Sequence, residues 1–341
     1  MPETTLNPKS LVTGGAGFIG SHVADELSLA GHSVVVLDDL SGGFLDNVSP
    51  QIEFVKGSVT DVALVDSLFD RHRFDYVFHI AAYAAEGLSH FIRRFNYTNN
   101  LLGSVTLINA AVRHHCRSFV FTSSIAVYGA GQTPMTEEMA PAPVDPYGIS
   151  KFAVEMDLEA AHRLFGLNYI VFRPHNVYGE RQNVGDKYRN VIGIFMNQVM
   201  QGLPCTIFGD GTQTRAFSHI SDVAPAIARS ISVPGAYNQV FNIGADIPYS
   251  VLNLAEAVQQ AMGKRTGIEF LPARNEVQHA FSDHSKARRI LGAEPTISLE
   301  AGLERMARWV IKAGPRTSSE FNAIELEEGL PSSWVKSCTR T

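Results

Sequence analysis

Short apolar runs rich in β-branched residues alternate along the first half of the chain with stretches whose apolar positions recur at helical spacing. Strands are expected at Ser10–Thr13, Ser33–Leu37, Ile52–Val55, Tyr76–Ile80, Ser118–Phe121 and Asn168–Phe172. Helices are expected between them at Ile19–Ala30, Val62–Phe69, Tyr97–Arg113 and Ser150–Leu164. This alternation predicts an α/β fold, a parallel sheet wrapped by helices on both faces, with ligands at the carboxyl ends of the strands.

Past Arg173 the pattern breaks up. A Gly/Asn-rich loop precedes a helix at Val191–Gln201, a strand at Thr206–Phe208, a helix at Ser221–Ser230 and a short strand at Val240–Ile243. Amphipathic helices follow at Leu252–Met262 and Leu299–Ala313. Such fragments predict a smaller α/β cap packed over the sheet edge, with a substrate cleft between. The expected division is 1–175 for the sheet domain, 176–315 for an interleaved cap, and 316–341 for a polar, loosely held C-terminal tail.

Composition narrows the class. The 341 residues carry 28 Lys+Arg against 34 Asp+Glu, a net charge of −6, and 45% are hydrophobic. There is core enough for one or two domains, and no basic run of the kind that binds nucleic acid. Cys116, Cys205 and Cys338 are odd in number and scattered, so free thiols in a reducing compartment are expected rather than disulfides or a zinc site. No apolar stretch approaches a membrane span and no signal pattern opens the chain, so a cytoplasmic protein is the expectation. The twelve histidines lack ligand spacing, which favours core or surface roles over metal; only His175, beside Asn176, falls where a ligand would lie.

The chemistry begins in the first βα unit. Gly14, Gly17 and Gly20 follow a strand and open a helix at Phe18 and Ile19, and Asp38 and Asp39 stand at the end of the next strand, 18 residues beyond Gly20. Glycines there allow a tight turn and close approach of a pyrophosphate to the helix N-terminus. An acid at Asp38 can accept the hydroxyls of an adenosine ribose and repels a 2′-phosphate, so the unit reads as a Rossmann-type turn for NAD rather than NADP.

A second constellation lies at Ser124, where a buried strand ends, and at Tyr147 and Lys151, four apart at a helix start and so on one face. A phenol titrates near 10, too high for a base at neutral pH, and a nearby ammonium with an oxidised nicotinamide ring would bring it into range. Tyr147 is therefore a candidate acid/base, and Ser124 a hydrogen-bond donor to the same substrate oxygen.

These segments, with VFHIAA, FVFTSSIAVYG, DPYGISK, FRPHNVYG, TIFGDGTQTRAFSHISDVA and DHSKARRILG, resemble the extended short-chain dehydrogenase/reductases over residues 10 to 312. They are most similar to nucleotide-sugar epimerases of the UDP-glucose 4-epimerase type. The resemblance implies acid/base work for Tyr147, a ribose contact for Lys151 and assistance from Ser124. It implies further cofactor contacts at Phe18, Ile19, Asp39, Val59, Ala81 and Asn100, with Ser58 in place of the usual adenine-facing Asp. On the substrate side it implies Asn176, Asn190, Val191, Phe208, Arg215 and, near its usual register, Arg274. It also implies a homodimer built from the Asn99–Arg113 and Ser150–Leu164 helices.

Ile125 and Ala126 stand where related 4,6-dehydratases carry an Asp-Glu pair and UDP-glucuronate decarboxylases a Glu. Neither side chain can move a proton. The expectation is thus an NAD-dependent UDP-sugar 4-epimerase that inverts C4 through a transient 4-keto sugar, acting on UDP-glucose or UDP-glucuronate. Arg93, Arg94, Arg181 and Arg189 are candidate partners for a C6 carboxylate; the resemblance implies that Ala84 stands where some 4-epimerases carry a cofactor-facing lysine, and Ala280 where some carry a bulky gatekeeper, which would leave room for a larger 2-substituent. The alternatives are a dehydratase or decarboxylase with its acid elsewhere, such as Glu86, and a non-catalytic NAD-binding scaffold.

Overall fold

The computed structural model of the chain describes residues 7–274, 276–315, 324–331 and 334. Six strands, β1 (Lys9–Thr13), β2 (Ser33–Asp38), β3 (Glu53–Lys56), β4 (Tyr76–His79), β5 (Ser118–Thr122) and β6 (Tyr169–Pro174), pair in parallel. The strand Gln239–Ile243, far later in the chain, completes the sheet as its seventh member. The order is Gln239–Ile243, β6, β5, β4, β1, β2, β3, so the direction of winding reverses beside β1 and a crevice opens at its carboxyl end.

Successive residues of each strand serve opposite faces. Leu11, Val35, Val77, Phe119 and Val171 pack on α2 (Val62–His72) and on the helices Gly103–Arg113 and Pro146–Phe165. Their neighbours Val12, Val36, Phe78, Val120 and Phe172 pack on α1 (Phe18–Leu29) and on the helix Ile220–Arg229. Each such buried side chain contributes ~1.5–3 kcal/mol relative to exposure. A third core, around Tyr178, Phe195, Met196, Leu254, Leu303 and Met306, lies between the helices Val191–Gln201, Val251–Ala261 and Leu299–Ala313.

Two helices begin earlier than their periodicity suggests. The Ser150–Leu164 helix starts at Pro146, because the Asp145 carboxylate accepts the Gly148 N–H and proline suits the first helical position. The Tyr97–Arg113 helix starts at Arg93 and passes through a π-helical turn at Thr98–Leu102. The expected looseness beyond Pro315 is corrected at two places. The Glu325 carboxylate accepts the Arg94 and Phe95 amides, each at 2.8 Å. Trp334 is buried with Ala85, Leu88 and Ile92, an apolar anchor in a stretch that reads as polar on average. Cys116 and Cys205 are buried free thiols, and Cys338 lies outside the described residues. No helix among the described residues is long and apolar enough to cross a membrane.

Candidate active site

The first βα turn is built by contact distances that only glycine tolerates. A Cβ at Gly20 would fall 2.1 Å from the Gly14 carbonyl oxygen, and one at Gly14, whose φ is +70°, would fall 2.7 Å from the Ala81 backbone. The Gly17 N–H donates to that same Gly14 oxygen at 3.0 Å. No side chain caps α1, so its first amides, at Phe18, Ile19 and Gly20, lack intrahelical acceptors and face the cleft. At the end of β2, Asp38 accepts the Ala16 and Leu40 amides at 3.0 and 2.7 Å and keeps further lone pairs for hydroxyl donors. Burial raises its pKa, against the pull of those amides. A bare helix N-terminus next to an acid, with Cβ-free space above the turn, fits the pyrophosphate and ribose of NAD.

Ser124, from the turn after β5, and Tyr147 and Lys151, from the first turns of the helix Pro146–Phe165, converge on the same cleft. The Ser124 Oγ accepts the Ala126 N–H at 3.1 Å, and its hydroxyl is close enough to the Tyr147 phenol to lower that group's pKa. Lys151 Nζ donates to the Thr122 carbonyl at 2.8 Å and lies 5.8 Å from the centroid of the Tyr147 ring. Burial lowers Lys151 to about 7, opposed by Glu155. Burial pushes the Tyr147 phenol well above its ordinary value, while the Ser124 hydroxyl and Arg189 pull it down. In the protein alone burial prevails, so the phenolate needs a further positive charge in the cleft.

One cavity holds most of the expected residues. Gly14, Gly17, Phe18, Ile19, Gly20, Asp38, Asp39, Ser58, Val59 and Ala81 line it, together with Asn176, Asn190 and Arg215. Asn176 and Asn190 sit at φ +40° and +62°, a left-handed backbone that asparagine tolerates better than most residues. Arg215 lies on the central strand of a small sheet, Thr214–Ala216 between Pro248–Ser250 and His279–Ala280, none of which the sequence pattern announces. Its guanidinium donates to the carbonyls of Thr214, Val277 and Gln278 at 2.6 to 3.1 Å.

Four expected residues stand outside the lining. Asn100 clamps the loop after β4, exchanging hydrogen bonds with the Tyr83 backbone at 2.8 and 3.1 Å. Val191 begins its helix behind Asn190 and packs on the third core. Arg274 lies over the Phe208 ring at 4.5 Å and pairs with Glu276 at 3.0 Å, so these two residues engage each other.

Other residues enter that sequence reasoning passed over. Ser123 Oγ, Asp145 Oδ2 and Gln182 Oε1 are buried without a hydrogen-bond partner among the described residues, and all three residues border the cavity. The adjacent Ser-Ser pair is the only local sign of the first. His175, the one histidine that the sequence sets beside a ligand, borders the cavity as well, with Nδ1 at 3.0 Å from the Ala216 carbonyl and Nε2 at 2.9 Å from His284; burial and that second imidazole lower it to about 3.

Comparison with known proteins gives a consistent result. A family model described as the NAD dependent epimerase/dehydratase family matches residues 10–244. A UDP-glucose 4-epimerase of Mycolicibacterium smegmatis is 35% identical over 305 residues, which is 87% of this chain and 96% of the relative. A Thermotoga maritima UDP-glucose 4-epimerase crystallised with UDP-glucose superposes with a TM-score of 0.86 at 35% identity, covering 89% of this chain and 99% of that one. A Bacillus cereus UDP-glucuronic acid 4-epimerase in complex with UDP-glucuronic acid and NAD superposes with a TM-score of 0.83 at 28% identity, covering 90% of this chain and all of that one, 100%.

Proposed function

Since this chain belongs to the NAD dependent epimerase/dehydratase family of extended short-chain dehydrogenase/reductases, and NAD is that family's cofactor, we propose that it is an isomerase inverting C4 of a UDP-hexose. The observation that carries this reading is the meeting of Ser124, Tyr147 and Lys151 at a cleft wall whose next residues, Ile125 and Ala126, offer no proton-moving group. Elimination across C5 and C6 needs a pair of groups that move protons at both carbons, and Glu86, which borders the cavity, finds no such partner in Ile125 or Ala126. Oxidation and reduction at C4 needs only one acid/base.

In this mechanism the α1 amides and Asp38 hold the NAD pyrophosphate and adenosine ribose, and Lys151 the nicotinamide ribose. When bound, NAD would supply the acceptor for the C4 hydride, the donor that returns that hydride to the opposite face of C4, and a positive charge in the cleft. Tyr147 Oη takes the proton of the C4 hydroxyl, the Ser124 hydroxyl donates to the oxygen left behind, and Lys151 holds the phenolate in its charged form. Arg215 and the amides around Asn190 grip the diphosphate while the keto sugar turns, after which Tyr147 returns the proton. The dimer we propose pairs the Gly103–Arg113 and Pro146–Phe165 helices of two copies, supported by exposed Leu102, Ile149 and Met156 along them.

The test is product analysis. Wild-type enzyme supplied with UDP-glucose is expected to yield its C4 epimer without added NAD, and Tyr147→Phe to lose ~10²–10⁴-fold in kcat while still binding substrate. A 4-keto-6-deoxy or decarboxylated product, or undiminished turnover by Tyr147→Phe, overturns the reading.

A further inference from the structure

A UDP-hexose held for C4 chemistry has C4 at Tyr147 and its anomeric phosphate toward Arg215, so a side chain between those two residues faces the sugar ring. Glu86 borders the same cavity, within electrostatic reach of Tyr147, Arg215 and Arg274 alike. Its loop is fixed from below: Ala85 and Leu88 are buried against Trp334, and the Ser89 hydroxyl donates to the Glu86 carbonyl at 2.6 Å. A second acid, Asp145, borders the same stretch of cavity with one carboxylate oxygen capping the Pro146–Phe165 helix.

The cations that a sugar carboxylate would need are engaged elsewhere. Arg93 and Arg94 are exposed and stand apart from the cavity lining. Arg181 pairs with Asp25 at 2.7 Å. Arg189 reaches the cavity but donates its Nε to Asp186 at 2.6 Å and lies on the Tyr83 ring. Arg215 and Arg274 share Glu276, at 3.8 and 3.0 Å.

We propose that Glu86, backed by Asp145, makes the sugar subsite selective for a hexose that is uncharged at C6 and excludes a C6 carboxylate. This rests on the C4-epimerase reading above and narrows its substrate class. An ionised Glu86 accepts hydrogen bonds from a C6 hydroxyl and repels a uronate; a protonated one does neither as strongly. Glu86 keeps contact with solvent through the open cleft; desolvation by the surrounding cavity walls and the charge of Asp145 push it up to about 7, with Glu276 adding to the rise and Arg215 and Arg274 opposing it. Selectivity therefore weakens as the pH falls through that value.

The experiment compares kcat/KM of the holoenzyme for UDP-glucose and UDP-glucuronate at about pH 6 and pH 8.5, with inhibition of the first reaction by the second sugar as a direct measure of binding. The uronate carboxylate stays ionised throughout, and effects of Tyr147 and Lys151 common to both sugars cancel in the ratio. For a gate titrating near 7, the preference for UDP-glucose should be up to about 30-fold larger at the higher pH. Glu86→Gln should flatten that dependence and raise the relative use of UDP-glucuronate at pH 8.5 by at least about tenfold. Equal use of the two sugars by wild type, or a ratio insensitive both to pH and to Glu86→Gln, overturns the role of Glu86 and leaves the epimerase reading standing. Inversion of neither sugar overturns the epimerase reading itself. Should Glu86→Gln fail to fold, the wild-type pH series decides alone.

Discussion

Adding a single methyl group at Gly20 tests the cofactor turn most directly. Its Cβ would lie 2.1 Å from the Gly14 carbonyl oxygen and 2.7 Å from the Gly14 carbonyl carbon, where ordinary contact begins at 3.4 Å. The turn would have to open by 3.4 minus 2.1, or 1.3 Å, and Gly14 has little room to yield, because the Ala81 backbone fills the space where its own Cβ would stand. Moving the Gly14 oxygen also breaks its hydrogen bond from the Gly17 N–H. Overpacking of this kind costs ~1–3 kcal/mol and the lost hydrogen bond about 1 more, so Gly20→Ala is expected to lose about 2–4 kcal/mol and several degrees in Tm. The amides displaced are those that meet the pyrophosphate, so NAD affinity should fall at least about tenfold. Gly17→Ala, with its Cβ at 3.0 Å from the same oxygen, should be intermediate, and Gly131→Ala, whose nearest atoms are at 3.5 and 3.6 Å, should match wild type. Melting curves with and without NAD, and the absorbance of nucleotide released on denaturation, read both effects. A Gly20→Ala protein that melts with wild type and carries its full complement of NAD would refute the steric reasoning.

Two further outcomes are expected. Lys151 is held at about 7 in the fold, whereas a lysine in an unfolded chain titrates at ~10.4. Between those values the unfolded chain binds a proton that the folded chain lacks, so Lys151 makes stability rise with pH across that window. Urea denaturation at about pH 7 and 9.5 should show wild type gaining on Lys151→Met; a constant difference between them rejects the assigned burial. Trp334→Ala removes a ring lying 5.9 Å from the Arg274 guanidinium and 3.3 Å from where a Gly87 Cβ would stand. Its KM for UDP-glucose should rise about 2- to 5-fold, the worth of one exposed cation–π contact of ~0.5–1 kcal/mol, and an unchanged KM counts against any tie between the tail and the site.

What the chain declares about itself is what is local. Gly14, Gly17, Gly20 and Asp38 belong to one βαβ unit, and Tyr147 and Lys151 to one helical turn, so spacing alone brings each set together. Arg215 is placed by a three-stranded sheet whose strands come from Thr214, Pro248 and His279 onward, each too short to have a pattern. Glu86, Asp145 and Arg189 are brought to one cavity by three separate loops, and no motif links them. Trp334 is a lone aromatic in a polar stretch, legible only once the surface formed by Ala85, Leu88 and Ile92 is known.

The seventh strand carries a consequence for anyone who would recombine this enzyme with a relative. Gln239–Ile243 pairs along β6 from Ile170 to Pro174, all but its first residue, and the helix Ile220–Arg229 covers α1. A crossover at a single point after β6 would strip the nucleotide-binding half of its edge strand and one of its helices, exposing an unpaired parallel edge and the apolar side of Val23 and Leu27. Chimeras that exchange sugar specificity therefore need at least two more junctions, keeping 220–243 from the parent that supplies the sheet.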